Sequence, residues 1–134
     1  MAPRTIGELL EAARVGLDRV EPAEALREAS AGALIVDTRT ADARRSTGFI
    51  PGSVHVPLSV LFWRLDDTSG HADPALTDRD RRVIVVCADG YSSSLAAATL
   101  RELGFARATD LVGGFNGWAA AGLPVERLPP EAGS

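Results

Sequence analysis

The sequence lacks lysine, has a single cysteine and contains no long apolar segment. All 14 of its basic residues are arginine, 18 residues are acidic, and the net charge is -4. A general nucleic-acid binder needs a basic face to neutralise phosphates, so this balance argues against one. The apolar runs, such as Val83 to Val86, are far shorter than the roughly 20 residues that cross a bilayer. We therefore expect neither nucleic acid nor a membrane as a partner.

The N-terminus also lacks the features of a signal peptide. Met1 to Arg4 precede a Glu-bearing amphipathic stretch that has no continuous apolar core and no small-residue cleavage site. We therefore expect a cytoplasmic location. In a reducing compartment Cys87 is either a buried small hydrophobe or a working thiol, because it has no partner for an internal disulfide.

The sequence has 134 residues, a length typical of one domain. Short apolar runs alternate with helical patterns along it. Thr5 to Glu8 has capping-box spacing and begins a helix of about ten residues, and Pro22 begins a second helix that Gly32 ends. Apolar runs predict strands at 33–36, 54–56, 82–86 and 108–112, and helices follow at 59–65, 93–103 and 114–121. The polar segments 38–53 and 66–80 are predicted as turns and loops. This order is typical of an α/β fold with three layers, a parallel sheet with helices on both faces.

Cys87 follows the strand at 82–86 and precedes a helix. Ligands of such folds bind beyond the carboxyl ends of the strands. The unpaired N–H groups and the macrodipole of a helix N-terminus stabilise negative charge, so a thiol there ionises more readily. Gly90 lets the loop curl its amides around the sulfur. This arrangement favours a reactive thiol over a buried cysteine at a strand end.

Three motifs in the right order resemble those of rhodanese-like domains over about residues 19 to 126. The loop Cys87-Ala88-Asp89-Gly90-Tyr91-Ser92-Ser93 matches the family's Cys-x-x-Gly-x-Arg-Ser except at the arginine. Asp37-Thr38-Arg39 and the turn at 48–53 match a second motif, and residues 113–124 match Gly-Gly-x-x-x-Trp-x-x-x-Gly-x-Pro. The resemblance implies a rhodanese-like domain over 19–126, with a helical extension over 1–18 and a flexible tail over 127–134.

The resemblance also implies a single-domain sulfurtransferase. We expect no cofactor and no metal, since two distant histidines and one cysteine form no recognisable metal site. Cys87 would accept a sulfane sulfur as a persulfide, from thiosulfate or from a low-molecular-weight or protein persulfide, and pass it to a thiol or another nucleophile. Such transfer needs a thiolate and N–H donors that stabilise the charge on the persulfide. We expect those donors in the loop, from Ala88, Asp89, Gly90, Tyr91, Ser92 and Ser93. Asp37 and Arg39 are expected to support the site, and Tyr91 to contact the substrate.

Two departures from the family's loop bear on the donor. Ser92 replaces the common arginine, and Asp89 adds an acidic side chain, so an anionic donor such as thiosulfate should be held less well. We expect weak thiosulfate activity and a preference for persulfides. Four arginines from neighbouring segments are candidates to replace the missing positive charge of the loop: Arg39, Arg44, Arg45 and Arg64. The alternative is a structural role, with Arg39 as a salt-bridge partner within the fold and the other three as solvated surface residues.

Other functions fit the residues less well. A cysteine phosphatase or arsenate reductase needs an arginine six positions after its cysteine, where Ser93 stands. A serine hydrolase would need a Gly-x-Ser-x-Gly elbow, which is absent. The hydroxyls of Ser92, Ser93 and Ser94 are candidates to add hydrogen bonds at the persulfide, although helix capping is the expected role for any single one of them. A non-catalytic binding or redox-sensing module remains open. The remaining side chains are expected in structural roles: His55 in a turn or the core, His71 in solvent, and Trp63 and Trp118 as core anchors.

Overall fold

The computed structural model describes residues 2–129. Strands and helices alternate along most of this range. The strands are β1 (Leu34–Asp37), β2 (Val54–His55), β3 (Val83–Val86) and β4 (Ala108–Asp110). The α-helices are α1 (Ile6–Val15), α2 (Pro22–Ser30), α3 (Ala41–Thr47), α4 (Leu61–Leu65), α5 (Ser92–Glu102) and α6 (Gly114–Ala120), and a 3-10 helix covers Pro74–Leu76.

All four strands are parallel and lie in the order β2-β1-β3-β4. The two central strands are buried along their whole length, as expected for continuous apolar runs covered on both faces. Asp37 at the end of β1 pairs in register with Val86 at the end of β3. Cys87, the next residue after Val86, therefore lies at the carboxyl edge of the sheet, as in the sequence-based interpretation.

Each face of the sheet carries its own hydrophobic core. One core packs α4 and α5 on the sheet through Leu61, Leu65 and Leu100. The other packs α2 and α6 on the opposite face, with Ala25 and Trp118 among its buried residues. The predicted three-layer α/β fold is confirmed.

The sequence-based prediction missed one helix and misplaced one tryptophan. Helix α3 lies inside the polar segment 38–53; it has only seven residues and is mostly polar, and Thr40 caps it by accepting from the Ala43 N–H at 3.1 Å. Trp63 is 52% exposed, whereas Trp118 is buried as predicted. The reason is that α4 has only five residues: Leu61 and Leu65 are buried in the core and Phe62 packs half-buried against it, which leaves Trp63 on the outer side.

The N-terminal helix packs against the rest of the protein. The predicted capping box is present, with Thr5 and Glu8 each accepting from the other's backbone N–H at 3.1 Å. Helix α1 contacts α5, and at the other end of the chain Arg127 donates to the Ser46 carbonyl at 2.8 Å. Residues 130–134, which belong to the predicted flexible tail, lie outside the described residues. None of the helices within 2–129 is long and apolar enough to cross a membrane.

Candidate active site

The loop from Cys87 to Tyr91 joins β3 to α5 and packs against the backbone before α6. Gly90 has φ +87°, and a Cβ on it would lie 2.8 Å from the Gly113 nitrogen. Because both the backbone angle and the close approach exclude larger residues, this turn requires glycine. The Cys87 carbonyl accepts from the Phe115 N–H at 2.8 Å, and the Ala88 carbonyl accepts from Asn116 at 3.0 Å. Backbone hydrogen bonds from the start of α6 therefore hold the loop in place.

The sulfur of Cys87 is nearly covered, with 7% of the residue exposed. Its Sγ accepts from the Gly90 N–H at 3.1 Å and lies 3.2 Å from the Ser93 Oγ. The Ser93 hydroxyl oxygen can accept from the thiol and, after rotation, its proton can be donated to a thiolate. Of the predicted loop residues, Gly90 and Ser93 thus contact the sulfur directly.

Three of the other predicted loop residues lie around the sulfur rather than on it. Ala88, Asp89 and Tyr91 are exposed, and the Asp89 carboxylate accepts from the Asn116 side chain at 2.8 Å. Tyr91 is 63% exposed, which leaves its ring at the surface beside the loop. Its role as a substrate contact stays a prediction.

The surroundings of Cys87 favour ionisation. Burial raises the pKa of the thiol, but hydrogen-bonding groups of Ser93, Ser92 and Gly90 outweigh it, and the pKa lies below its ordinary value. A lowered pKa increases the thiolate fraction at neutral pH, and the thiolate is the nucleophile. The site therefore has the electrostatics of a working thiol.

The capping role expected for any single serine is wrong, whereas the other role considered for the hydroxyls, a hydrogen bond at the sulfur, is found for Ser93. Tyr91 occupies the N-cap of α5 and makes no side-chain capping bond. The hydroxyls of Ser93 and Ser94 instead donate to Oδ2 of Asp110, at 2.7 and 2.8 Å. Asp110 ends β4, beside β3, and its carboxylate accepts the hydroxyl protons of both serines, whereas neither serine oxygen accepts from a backbone N–H at the start of α5. Sequence reasoning missed Asp110, whose only signal was an acidic residue in the middle of the strand predicted at 108–112.

Arginines that sequence reasoning did not consider also reach the loop. Arg14 and Arg19 donate to the Gly90 carbonyl at 2.8 and 3.0 Å. Arg19 also binds Asp110 through two nitrogens, at 2.8 and 3.2 Å. These residues lie more than 70 positions before their partners, so no local motif could have indicated the contacts.

Asp37 and two arginines form a buried ion cluster beside the loop. Asp37 Oδ2 accepts from Arg39 Nη2 and from Arg44 Nη1, both at 2.9 Å. The Arg39 guanidinium also stacks 3.9 Å from the Phe115 ring centre. The predicted salt-bridge role of Arg39 is confirmed, whereas the expectation of a solvated Arg44 is wrong, because α3 turns this side chain inward.

The remaining candidate residues do not form a metal site. His55 is half-buried and its Nε2 lies 2.7 Å from the Arg39 carbonyl, and His71 is exposed. Over residues 2–129, no group of three or more His, Cys, Asp or Glu side chains is arranged to hold a metal ion. Of the other arginines proposed to compensate for Ser92, Arg45 pairs with Asp42 and Arg64 donates to the His71 carbonyl.

Curated relatives are similar to this chain over most of its length. A thiosulfate sulfurtransferase GlpE of Pseudomonas savastanoi is 41% identical over 100 residues, which cover 75% of this chain and 83% of that protein. A sulfurtransferase of Allochromatium vinosum is 33% identical over 98 residues, covering 73% and 80%.

Solved structures share the fold. A Rhodopseudomonas palustris protein of unknown function, described as a possible tyrosine phosphatase, superposes with a TM-score of 0.86 at 31% identity and covers 94% of this chain and 97% of its own. A thiosulfate sulfurtransferase of Pseudomonas aeruginosa gives a TM-score of 0.68 at 32% identity, over 90% of this chain and 22% of its own. The family model of the rhodanese-like domain matches residues 21–121. This chain therefore belongs to the rhodanese-like domain family.

Proposed function

We propose that the protein is a sulfurtransferase that carries sulfane sulfur as a persulfide on Cys87. The observation that carries the proposal is the Cys87 sulfur itself, which accepts from the Gly90 N–H and contacts the Ser93 hydroxyl at the carboxyl edge of the sheet. Relatives with sulfurtransferase names support the reaction class. A single thiol that must stay reduced also suits the cytoplasmic location expected from the sequence.

The proposed reaction has two displacement steps at sulfur. The Cys87 thiolate attacks the outer sulfur of the donor; the new S–S bond forms as the donor's own bond to that sulfur breaks, and the rest of the donor leaves with the electron pair. An acceptor thiolate then attacks the outer sulfur of the persulfide, and Cys87 leaves as a thiolate. No net oxidant or reductant is needed. The Gly90 N–H is placed to stabilise the negative charge of Cys87 before the first step and after the second.

Phosphatase chemistry does not fit this loop, although one structural relative is described as a possible tyrosine phosphatase. The sixth residue after Cys87 is Ser93, and its hydroxyl donates to Asp110 at 2.7 Å. A bound phosphate dianion would therefore lack the bidentate guanidinium that phosphate recognition uses.

Incubation with a sulfur donor is expected to load one sulfur onto Cys87. The reduced protein is treated with thiosulfate or with a small-molecule persulfide, and intact mass is measured before and after a cyanide chase. The chase is essential because a sulfinic acid has nearly the mass of one added sulfur but is not removed by cyanide. Cys87→Ala should gain no removable sulfur. A Cys87 that stays alkylatable but unloaded with both donors would contradict the proposal and favour a binding or redox-sensing module.

The persulfide is expected to load Cys87 faster than thiosulfate does. The loop holds no basic residue and carries the exposed Asp89, which repels a dianionic donor more than a singly charged one. Initial loading rates at equal donor concentration measure the preference, and Asp89→Asn should improve thiosulfate relative to persulfide. Equal donor ratios for the wild type and Asp89→Asn would contradict this reason for the preference.

A further inference from the structure

An arginine from outside the matched domain contacts the active-site loop at two points and the first turn of α5 at a third. Arg14, near the end of α1, donates through Nη2 to the Gly90 carbonyl at 2.8 Å and through Nε to the Ser94 Oγ at 3.0 Å. Its guanidinium carbon also lies 5.8 Å from the Tyr91 ring centre. The family model begins at residue 21, so this contact is a feature of the N-terminal extension rather than of the shared domain.

Two chains of hydrogen bonds connect Arg14 to the sulfur of Cys87. In one, Gly90 accepts from Arg14 through its carbonyl and donates to Cys87 Sγ through its N–H. In the other, Ser94 accepts from Arg14 and shares the Asp110 carboxylate with Ser93, which contacts Sγ. Arg14 therefore helps to hold the turn, whose Gly90 carbonyl it shares with Arg19, and the Ser94 hydroxyl, which it shares with Asp110.

The positive charge of Arg14 is not paired with an acidic group among its described partners. Asp110 is fully buried, but Arg19 neutralises it through a salt bridge. The three partners described above for Arg14 are a carbonyl, a hydroxyl and an aromatic ring, which are all neutral.

The other charged groups near Cys87 are already engaged. Arg39 and Arg44 share the single carboxylate of Asp37 on the neighbouring strand, so this buried cluster keeps one net positive charge of its own. Asp89 on the loop is exposed and bound by Asn116. The unit charge of Arg14 therefore stands beside a loop that has no cation of its own.

We propose that Arg14 is a positioning residue for the reaction of Cys87, and that it supplies from helix α1 the positive charge that Ser92 does not provide. The guanidinium holds the Gly90 turn and lowers the energy of a negative charge on the sulfur, as thiolate or as persulfide. The consequence for turnover rests on the proposed sulfur transfer, but the effect on the thiol does not. An N-terminal segment without a matching arginine would leave the same loop with a less reactive cysteine.

The pH dependence of Cys87 alkylation tests this role without any sulfur chemistry. Arg14→Gln is expected to raise the pKa of Cys87 by about half a unit, and so to slow iodoacetamide alkylation at pH 7 by about threefold. Arg14→Lys keeps the charge and should recover most of the wild-type rate. Arg27→Gln is the matched control, because Arg27 is an exposed helix arginine paired with Glu24 and should leave the profile unchanged.

The outcomes separate this role from a purely structural one. An unchanged alkylation profile in Arg14→Gln would overturn the proposal, and so would an Arg14→Lys profile that matches Arg14→Gln. Arg14→Met, which keeps the aliphatic stem, replaces Arg14→Gln if the latter does not fold. A wild-type protein that loads no sulfur would refute the proposed function, whereas the alkylation profiles would still decide the role of Arg14.

Discussion

Replacing Gly114 with alanine is expected to destabilise the protein by about 3 kcal/mol or more and to prevent sulfur loading of Cys87. Gly114 has φ +60°, and a Cβ on it would lie 2.5 Å from the Cys87 carbonyl oxygen and 2.7 Å from the Ala88 carbonyl carbon. The left-handed backbone costs a non-glycine residue about 1–2 kcal/mol, and overpacking adds about 1–3 kcal/mol. The clash is with backbone, so relief requires the loop under the sulfur to move.

Gly122→Ala separates the two contributions. Gly122 also has a positive φ, +75°, but a Cβ there would meet no atom within 4 Å. This control should cost only the backbone strain, about 1 kcal/mol, and should load sulfur normally. Urea unfolding gives the stability of each variant, and intact mass after donor treatment gives the loading. A Gly114→Ala variant that matches Gly122→Ala in both measurements would show that the close approach has no consequence.

Asp37→Asn is expected to cost about 3–5 kcal/mol, because it leaves Arg39 and Arg44 buried without their shared carboxylate. The side chains of Asp37, Arg39 and Arg44 are 3%, 5% and 9% exposed, so water cannot replace the lost charge. Asp42→Asn serves as the control, since the Asp42–Arg45 pair is exposed. Such surface pairs contribute about 0–1 kcal/mol.

The cost of Asp37→Asn should also depend on pH. Burial raises the pKa of Asp37, but hydrogen bonds and charges from Arg39 and Arg44 outweigh it, and the pKa lies below its ordinary value. A carboxyl whose pKa is lower in the folded state stabilises the protein above its unfolded pKa, about 4, and this stabilisation is lost as pH falls through the folded value. Urea midpoints should therefore differ widely between wild type and Asp37→Asn at pH 7, begin to converge near pH 4, and approach each other further as pH falls through the lower folded pKa. A difference that stays constant from pH 7 to pH 3 would refute the assigned role.

The sequence was most informative where a pattern is local or apolar. The run at 83–86 indicated β3, the capping box at Thr5 indicated α1, and three motifs together indicated the family. Helix α3 escaped because a seven-residue, mostly polar helix has no apolar stripe. Arg44 lies in this helix, so the burial of Arg44 was not predicted either.

The electrostatics of the site were beyond reach because its charged partners are distant in the chain. Arg14 and Gly90 are 76 positions apart, and Arg19 and Asp110 are 91 apart. No spacing rule connects such pairs, and only the packing of α1 on α5 and the register of β4 bring them together. The serines after Cys87 were misassigned for the same reason, since their acceptor Asp110 belongs to another strand.

The interlocking of the cysteine loop with the start of α6 limits how the protein can be redesigned. Phe115 and Asn116 donate backbone N–H groups to the carbonyls of Cys87 and Ala88, and Gly90 packs on Gly113. Transplanting a cationic loop from a relative in place of residues 87–93 would exchange only one half of this unit. A functional graft also has to carry the segment of the donor protein that corresponds to residues 111–116 here. Natural exchange of loops between family members by recombination would face the same requirement.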